Sequence, residues 1–162
     1  MAPALAFAIN ISPKVWTFVI AMLPISELRG AIPYALGVGK MHWLEAYIIA
    51  VAGNFVPVIP ILLFLERISE RLMKYPVFRR FFEWFFERAK RKGGLVARFE
   101  AIGLTLFVAV PLPVTGAWTG CAAAVLFGIP LRLAVPAVLL GIMIAGCVVT
   151  LASLGFITFW GL

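Results

Sequence analysis

The chain has 162 residues, 64% of them hydrophobic and 13% charged, with a formal net charge of +7 and a mean hydropathy of +1.07. A soluble domain carries about 25% charged residues, and a chain this short has too much surface to hide so much apolar side chain. The composition therefore excludes an ordinary soluble fold and indicates an all-α integral membrane protein.

Residues 1–13 are apolar but lack a basic leading region and a clear cleavage site, so no cleavable signal peptide is expected. The segment 14–40 contains "LPISELRGAIP", in which Glu27 and Arg29 stand between Pro24 and Pro33. One spanning helix over residues 15–39 would hold both charges near the bilayer centre, at about 2.5–3.5 kcal/mol each. It would also point them to different helix faces and strain its ladder at both prolines. A re-entrant hairpin fits better. Val15 to Leu23 would climb about 14 Å at 1.5 Å per residue, roughly half of a 30 Å hydrocarbon core, and Ala31 to Gly39 would return. The turn, "PISELRG", is expected to be non-helical. In extended backbone, residues i and i+2 share a face, so Glu27 and Arg29 would converge.

A transmembrane helix follows over 43–65, bent at Pro57 and Pro60. His42 before it has no acidic or cysteine cluster nearby and reads as an interfacial loop residue. Residues 66–94 form a basic amphipathic region. Glu66 to Glu100 holds ten of the fourteen basic residues and five of the seven acidic ones, and such segments stay cytoplasmic. Within it, Phe78, Phe81, Phe82, Phe85 and Ala89 share one helical face, with Arg80, Glu83, Glu87 and Arg91 on the other. That pattern suits a helix in the headgroup layer; a groove on a partner protein is the other reading. Basic residues beside membrane spans and phenylalanines argue against nucleic acid as a partner.

The second half repeats the plan. Segment 98–128 is expected to be a second re-entrant hairpin around "VPLPVTGAWTG", and 131–160 a second transmembrane helix. Ala137, Gly141 and Ala145 form a stripe of small residues in that helix, suited to packing within the chain or to a dimer seam. Cys121 and Cys147 match no metal spacing and read as small packing residues. With 66–98 cytoplasmic, both termini fall outside and the halves become an inverted repeat of re-entrant helical hairpin plus transmembrane helix, an architecture of secondary transporters. Trp16, Trp43 and Trp160 then fall at the outer interface. Lys14 and Lys40 also fall outside, against the usual charge bias.

"ELRGAIP", the pair Gly53-Asn54 followed by Pro57, and "PLPVTGAWTG" together resemble the small multidrug export family, over nearly the whole chain. That family is regarded as a distant relative of the DedA and VTT membrane proteins. The resemblance implies paired re-entrant hairpins and a link to lipid movement. Glu27, Gly30 and Pro33 echo the acidic, proline-bearing first hairpin of the DedA proteins. Their second hairpin usually carries arginines, and Pro111 to Gly120 has none.

The candidate substrate or proton site is the meeting point of the two hairpin turns. It comprises Ser26, Glu27, Arg29, Gly30 and Pro33 from the first, Asn54, and Pro111, Pro113, Thr115, Gly116, Trp118 and Thr119 from the second. Half-helices starting near Ala31 and Ala117 would aim their N-termini at an anion, and the planar guanidinium of Arg29 suits phosphate or carboxylate. Glu27 is the candidate carrier of a coupling proton. Ser26, Thr115, Thr119 and Asn54 are candidate neutral donors and acceptors, although the hydroxyls equally suit helix caps. A static Glu27–Arg29 pair that only pins the turn is the competing reading.

The function expected is a secondary transporter or lipid flippase-like protein for an amphipathic or anionic substrate. The alternatives are proton-coupled export of cationic hydrophobic drugs, and an assembly factor recruiting partners through residues 77–92. No nucleophile–base pair, metal cluster or phosphate loop is present, so no enzyme, cofactor or metal is expected. Membrane lipids surround the chain, and two spans with two hairpins are small enough to suggest a homodimer.

Overall fold

A computed structural model describes residues 12–72, 93–112 and 115–160, with the side chains of 69–72, 93–99 and 160 left out. The aromatic face expected over residues 78–89, and Pro113, lie outside the described residues. Seven α-helices and no strand are found among them: α1 Pro13–Met22, α2 Glu27–Pro33, α3 Trp43–Phe55, α4 Val58–Leu72, α5 Gly93–Ala109, α6 Ala117–Leu126 and α7 Leu131–Trp160. A π-helical turn, Tyr34–Val38, extends α2.

Two helical runs, Trp43–Ile68 and Leu131–Phe159, are long and apolar enough to cross a membrane. They have 26 and 29 residues, and only 33% and 44% of their apolar windows are buried. A core helix of a soluble protein hides most of such a window. Here Phe64, Leu151 and Phe159 are 65%, 70% and 86% exposed. Apolar surface of that kind is at rest only in lipid, and the chain is a membrane protein.

The chain divides into two compact units, Met1–Asn54 with Gly146–Leu162, and Phe55–Ala145. In the first unit, α1 and α2 form a helical hairpin. Pro at the first position starts α1, with the Ser12 side chain accepting the N–H of Lys14. Helix α1 stops at Leu23, whose backbone turns extended at φ −74° and ψ 137°, as a residue before proline must. The chain then returns. A methyl group on Gly30 would sit 3.4 Å from Ile20, and one on Gly39 would sit 3.2 Å from Pro13. Thr17 Oγ1 lies 3.7 Å from the sulfur of Met41, so both ends of the hairpin meet. Helix α3 crosses close to α1 at Gly53, where a methyl group would fall 2.5 Å from the Phe18 carbonyl oxygen and 3.0 Å from Ala21. The C-terminal part of α7 meets α3 at Gly146, against the Tyr47 ring and Val51.

In the second unit, α5 and α6 form another helical hairpin, seated where Gly120 meets Val108. Helix α6 ends in a Schellman motif: Ile129 N–H bonds to Ala124 O at 2.9 Å and Gly128 N–H to Val125 O at 3.1 Å. The motif needs a left-handed residue after the cap. Gly128, at φ 65°, supplies it, and Pro130 follows. Helix α6 also packs on α4, where the Cys121 thiol lies 3.8 Å from Val58 O.

The small-residue stripe of α7 finds its partner inside the chain. Ala137, Gly141 and Ala145 are all buried, a methyl group on Gly141 would fall 2.6 Å from Val108 Cβ and 2.9 Å from Thr105 O, and Thr105 Oγ1 donates to Ala137 O at 3.1 Å. Among the described residues, 11 of the 23 buried hydrophobic ones are alanines. With no hydrophobic force between helices in lipid, such small residues let backbones approach closely enough for dispersion contacts.

Candidate functional site

The turn of the first hairpin is narrower than the sequence suggests. The break covers only Leu23–Ser26, and α2 begins at Glu27, four residues before the half-helix start expected at Ala31. "PISELRG" is therefore not one non-helical turn, and Glu27 and Arg29 do not lie in extended backbone. The physical reason is local. Glu27 N–H reaches Leu23 O at 3.0 Å and Gly30 N–H reaches Ser26 O at 2.9 Å, so the helix ladder closes as soon as Pro24 is passed.

The two charges nevertheless meet. Arg29 Nη2 lies 3.8 Å from Glu27 Oε2. Ideal helical residues two apart diverge, but Glu27 is not ideal: its φ is 44°. That left-handed conformation costs a non-glycine residue about 1–2 kcal/mol. Glu27 is also 5% exposed, whereas the Arg29 side chain retains 27% exposure. A strained, buried carboxylate beside a more open guanidinium is a costly arrangement for a membrane hairpin, and strain of this kind gathers at functional sites.

Neighbouring residues shape the turn. Ser26 precedes α2 but makes no capping bond through its side chain. Gly30 leaves room for the start of its own helix, since a methyl group there would come within 2.9 Å of Ser26 Cβ. Pro33 sits inside α2, where it withholds the N–H that Arg29 O would accept, and the π-helical turn begins directly after it. Gly39 N–H closes that turn on Tyr34 O at 2.9 Å.

Asn54 belongs to the same unit. It stands next to Gly53, whose crossing on Phe18 and Ala21 brings the end of α3 to the last turn of α1, the turn that leads into Glu27. Asn54 is 2% exposed, and its Oδ1 has no hydrogen-bond partner among the described residues. A buried acceptor left in this condition costs about 1–3 kcal/mol. Thr150, in the part of α7 that belongs to this unit, is also buried, and its Oγ1 has no partner among the described residues. The sequence gives Thr150 no distinguishing signal, since α7 also carries Ser153 and Thr158. Thr17, equally buried, is satisfied by donating to Pro13 O at 2.8 Å.

The second hairpin's turn uses hydroxyls instead of charges. Thr115 Oγ1 accepts the Leu112 N–H at 3.0 Å and contacts the carbonyl oxygens of Val110 and Leu112. It therefore staples the loop rather than capping a helix. Gly116 is the residue that caps α6, without a side-chain bond. Thr119 Oγ1 bonds back to Gly116 O at 3.3 Å. Pro111 and Trp118 are half-buried. Among the described residues no cluster of histidine, cysteine, aspartate or glutamate could hold a metal ion.

A family model described as "Putative small multi-drug export protein" matches residues 27–148, from the buried glutamate to the last transmembrane helix. No curated protein and no solved structure matches the chain.

Proposed function

We propose, since the chain belongs to the small multi-drug export family, that it is a secondary transporter whose first hairpin is re-entrant and whose Glu27 carries the coupling proton. The observation that carries this reading is a carboxylate buried at φ 44° at the start of α2, directly after the hairpin break and 3.8 Å from a partly open guanidinium. A charge that served only to pin the turn could be replaced by an apolar contact of lower cost. The buried Oδ1 of Asn54 adds an acceptor for a protonated carboxyl or a substrate donor. Arg29 supports an amphipathic substrate with an anionic head, because its fork pairs with phosphate or carboxylate through two parallel bonds. Irregular backbone at membrane depth is tolerated where protein or water surrounds it, which fits the burial of Glu27, Leu28, Ala31 and Ile32.

The deeper burial of Glu27 relative to Arg29 favours a second reading, in which the carboxylate exchanges a proton for a lipophilic cation. Proteoliposomes holding a pH gradient separate the two. With a lipophilic anion as probe, Arg29→Ala raises the substrate concentration needed for half-maximal flux and leaves a lipophilic cation unaffected. Cation export predicts the opposite ranking. Under either reading Glu27→Gln abolishes gradient-driven flux in a folded protein. Wild-type flux in both variants would refute the site.

A further inference from the structure

The far end of the first hairpin carries a second site. Helix α1 starts at Pro13 and α3 at Trp43, and Lys14 Nζ forms an ion pair with Glu45 Oε1 across those two starts. Between them opens a groove of about 560 Å³, lined by Lys14, His42, Leu44, Glu45, Ile48 and Ile49. That volume lies within the roughly 300–1,000 Å³ of small-molecule sites. The groove is divided in two. Lys14, His42 and Glu45 gather at one end. Leu44 and Ile48, and beside them Glu45 and Ile49, stand four residues apart and so form two ridges running down α3. Leu44 and Ile48 are 45% and 56% exposed, on a helix apolar enough to cross a membrane. A ligand for this groove therefore has a charged head and an apolar body that continues into the bilayer.

The charges narrow the head further. Lys14 and Glu45 sum to zero. A head carrying only negative charge meets Glu45, and one carrying only positive charge meets Lys14. A head carrying both signs satisfies both. With one donor already on Glu45 Oε1, the lysine keeps its other donors for a phosphate, and the second carboxylate oxygen accepts an ammonium. His42 Nδ1 accepts the Leu44 N–H at 3.4 Å, which leaves Nε2 as the ring's donor. The N-terminal dipole of the 13-residue α3 adds a further preference for phosphate at this end. The exposed Trp43 ring, 5.6 Å from that of His42, is of the kind enriched at the headgroup level.

We propose that this groove is a resident-lipid site for a phospholipid with a zwitterionic, phosphate-plus-ammonium headgroup. The phosphate sits on Lys14 and His42, the ammonium on Glu45, and an acyl chain along Leu44 and Ile48. The site lies apart from the Glu27 turn and does not depend on how that turn functions.

Native mass spectrometry of the full chain, delipidated and titrated with phosphatidylethanolamine or phosphatidylglycerol of matched acyl chains, tests the proposal. One phosphatidylethanolamine should bind per chain about tenfold more tightly than phosphatidylglycerol, the difference expected from one charge-assisted contact. The double exchange Lys14→Glu with Glu45→Lys keeps an ion pair, and hence the fold, but reverses the charges met by a phosphate that must stay next to the glycerol. It should erase the preference while the melting temperature is retained. His42→Ala, at an exposed position, should weaken binding without reversing the preference. Equal binding of the two lipids by the wild-type chain would overturn the proposal, as would a preference that survives the exchange. Displacement of the lipid by water-soluble phosphoethanolamine would overturn the lipid as occupant.

Discussion

The first hairpin carries two charges where its returning helix begins and the turn of the second carries none among its described residues, and their backbones differ accordingly. In the first, a buried glutamate takes a left-handed conformation and its carboxylate meets Arg29. In the second, Thr115 ties the loop to its own carbonyl and amide groups, and Thr119 turns back on Gly116. A loop that must satisfy only its backbone can do so with one hydroxyl. A loop that keeps a carboxylate out of lipid has to bury it, and here it does so at the cost of backbone strain. The second turn satisfies its own backbone groups; the first bears strain, which the proposed proton-carrying role of Glu27 would explain.

The seats of the hairpins differ as well, and this gives the largest expected effect. The first is gripped through backbone, since a methyl group on Gly53 would fall 2.5 Å from the Phe18 carbonyl oxygen, whereas one on Gly120 in the second would meet a methyl of Val108. Gly53→Ala should cost about 3 kcal/mol, the upper range for overpacking, and Gly120→Ala about 1 kcal/mol. Thermal unfolding in detergent reads the ranking, and equal losses would erase the distinction. Next comes the strain itself. Glu27→Asn and Glu27→Gln both replace the charge by an amide, but asparagine tolerates the left-handed region, so the asparagine variant should be the more stable by about 1 kcal/mol. A glutamine variant that melts well above the asparagine variant would mean that position 27 is not strained. The smallest effect belongs to the second turn: Thr115→Val should cost about 1 kcal/mol and speed hydrogen exchange at the Leu112 and Thr115 amides, with no change at Gly30.

What the sequence made legible was whatever follows from composition and from residues with fixed backbone demands. An all-helical membrane chain with two membrane-capable helices follows from long uncharged runs. The interruption at Val56–Pro57 follows from a proline that has no N–H to give. Side-chain meetings that depend on tertiary register were not legible. Lys14 and Glu45 are 31 positions apart and pair only because the hairpin returns its chain to the start of α3; read singly, Lys14 looked misplaced. The φ of Glu27 has no sequence signal, since glutamate is not a residue that favours it. The stripe at Ala137, Gly141 and Ala145 announced a close helix contact but not its partner, and the answer, Val108 and Thr105 of α5, needed coordinates. Asn54 is the one amide in α3, but that its Oδ1 has no partner among the described residues could not be foreseen.

The central claim is that the first hairpin enters and leaves the membrane on the same side, with Glu27 at depth. The direct measurement uses Ser12→Cys and Lys40→Cys, each made singly in a Cys121→Ala, Cys147→Ala background, in oriented vesicles treated with a membrane-impermeant maleimide. The account predicts that both positions are labelled from the same side, and that a cysteine at position 27 in the same background is labelled only after the membrane is dissolved. Labelling of positions 12 and 40 from opposite sides would contradict it.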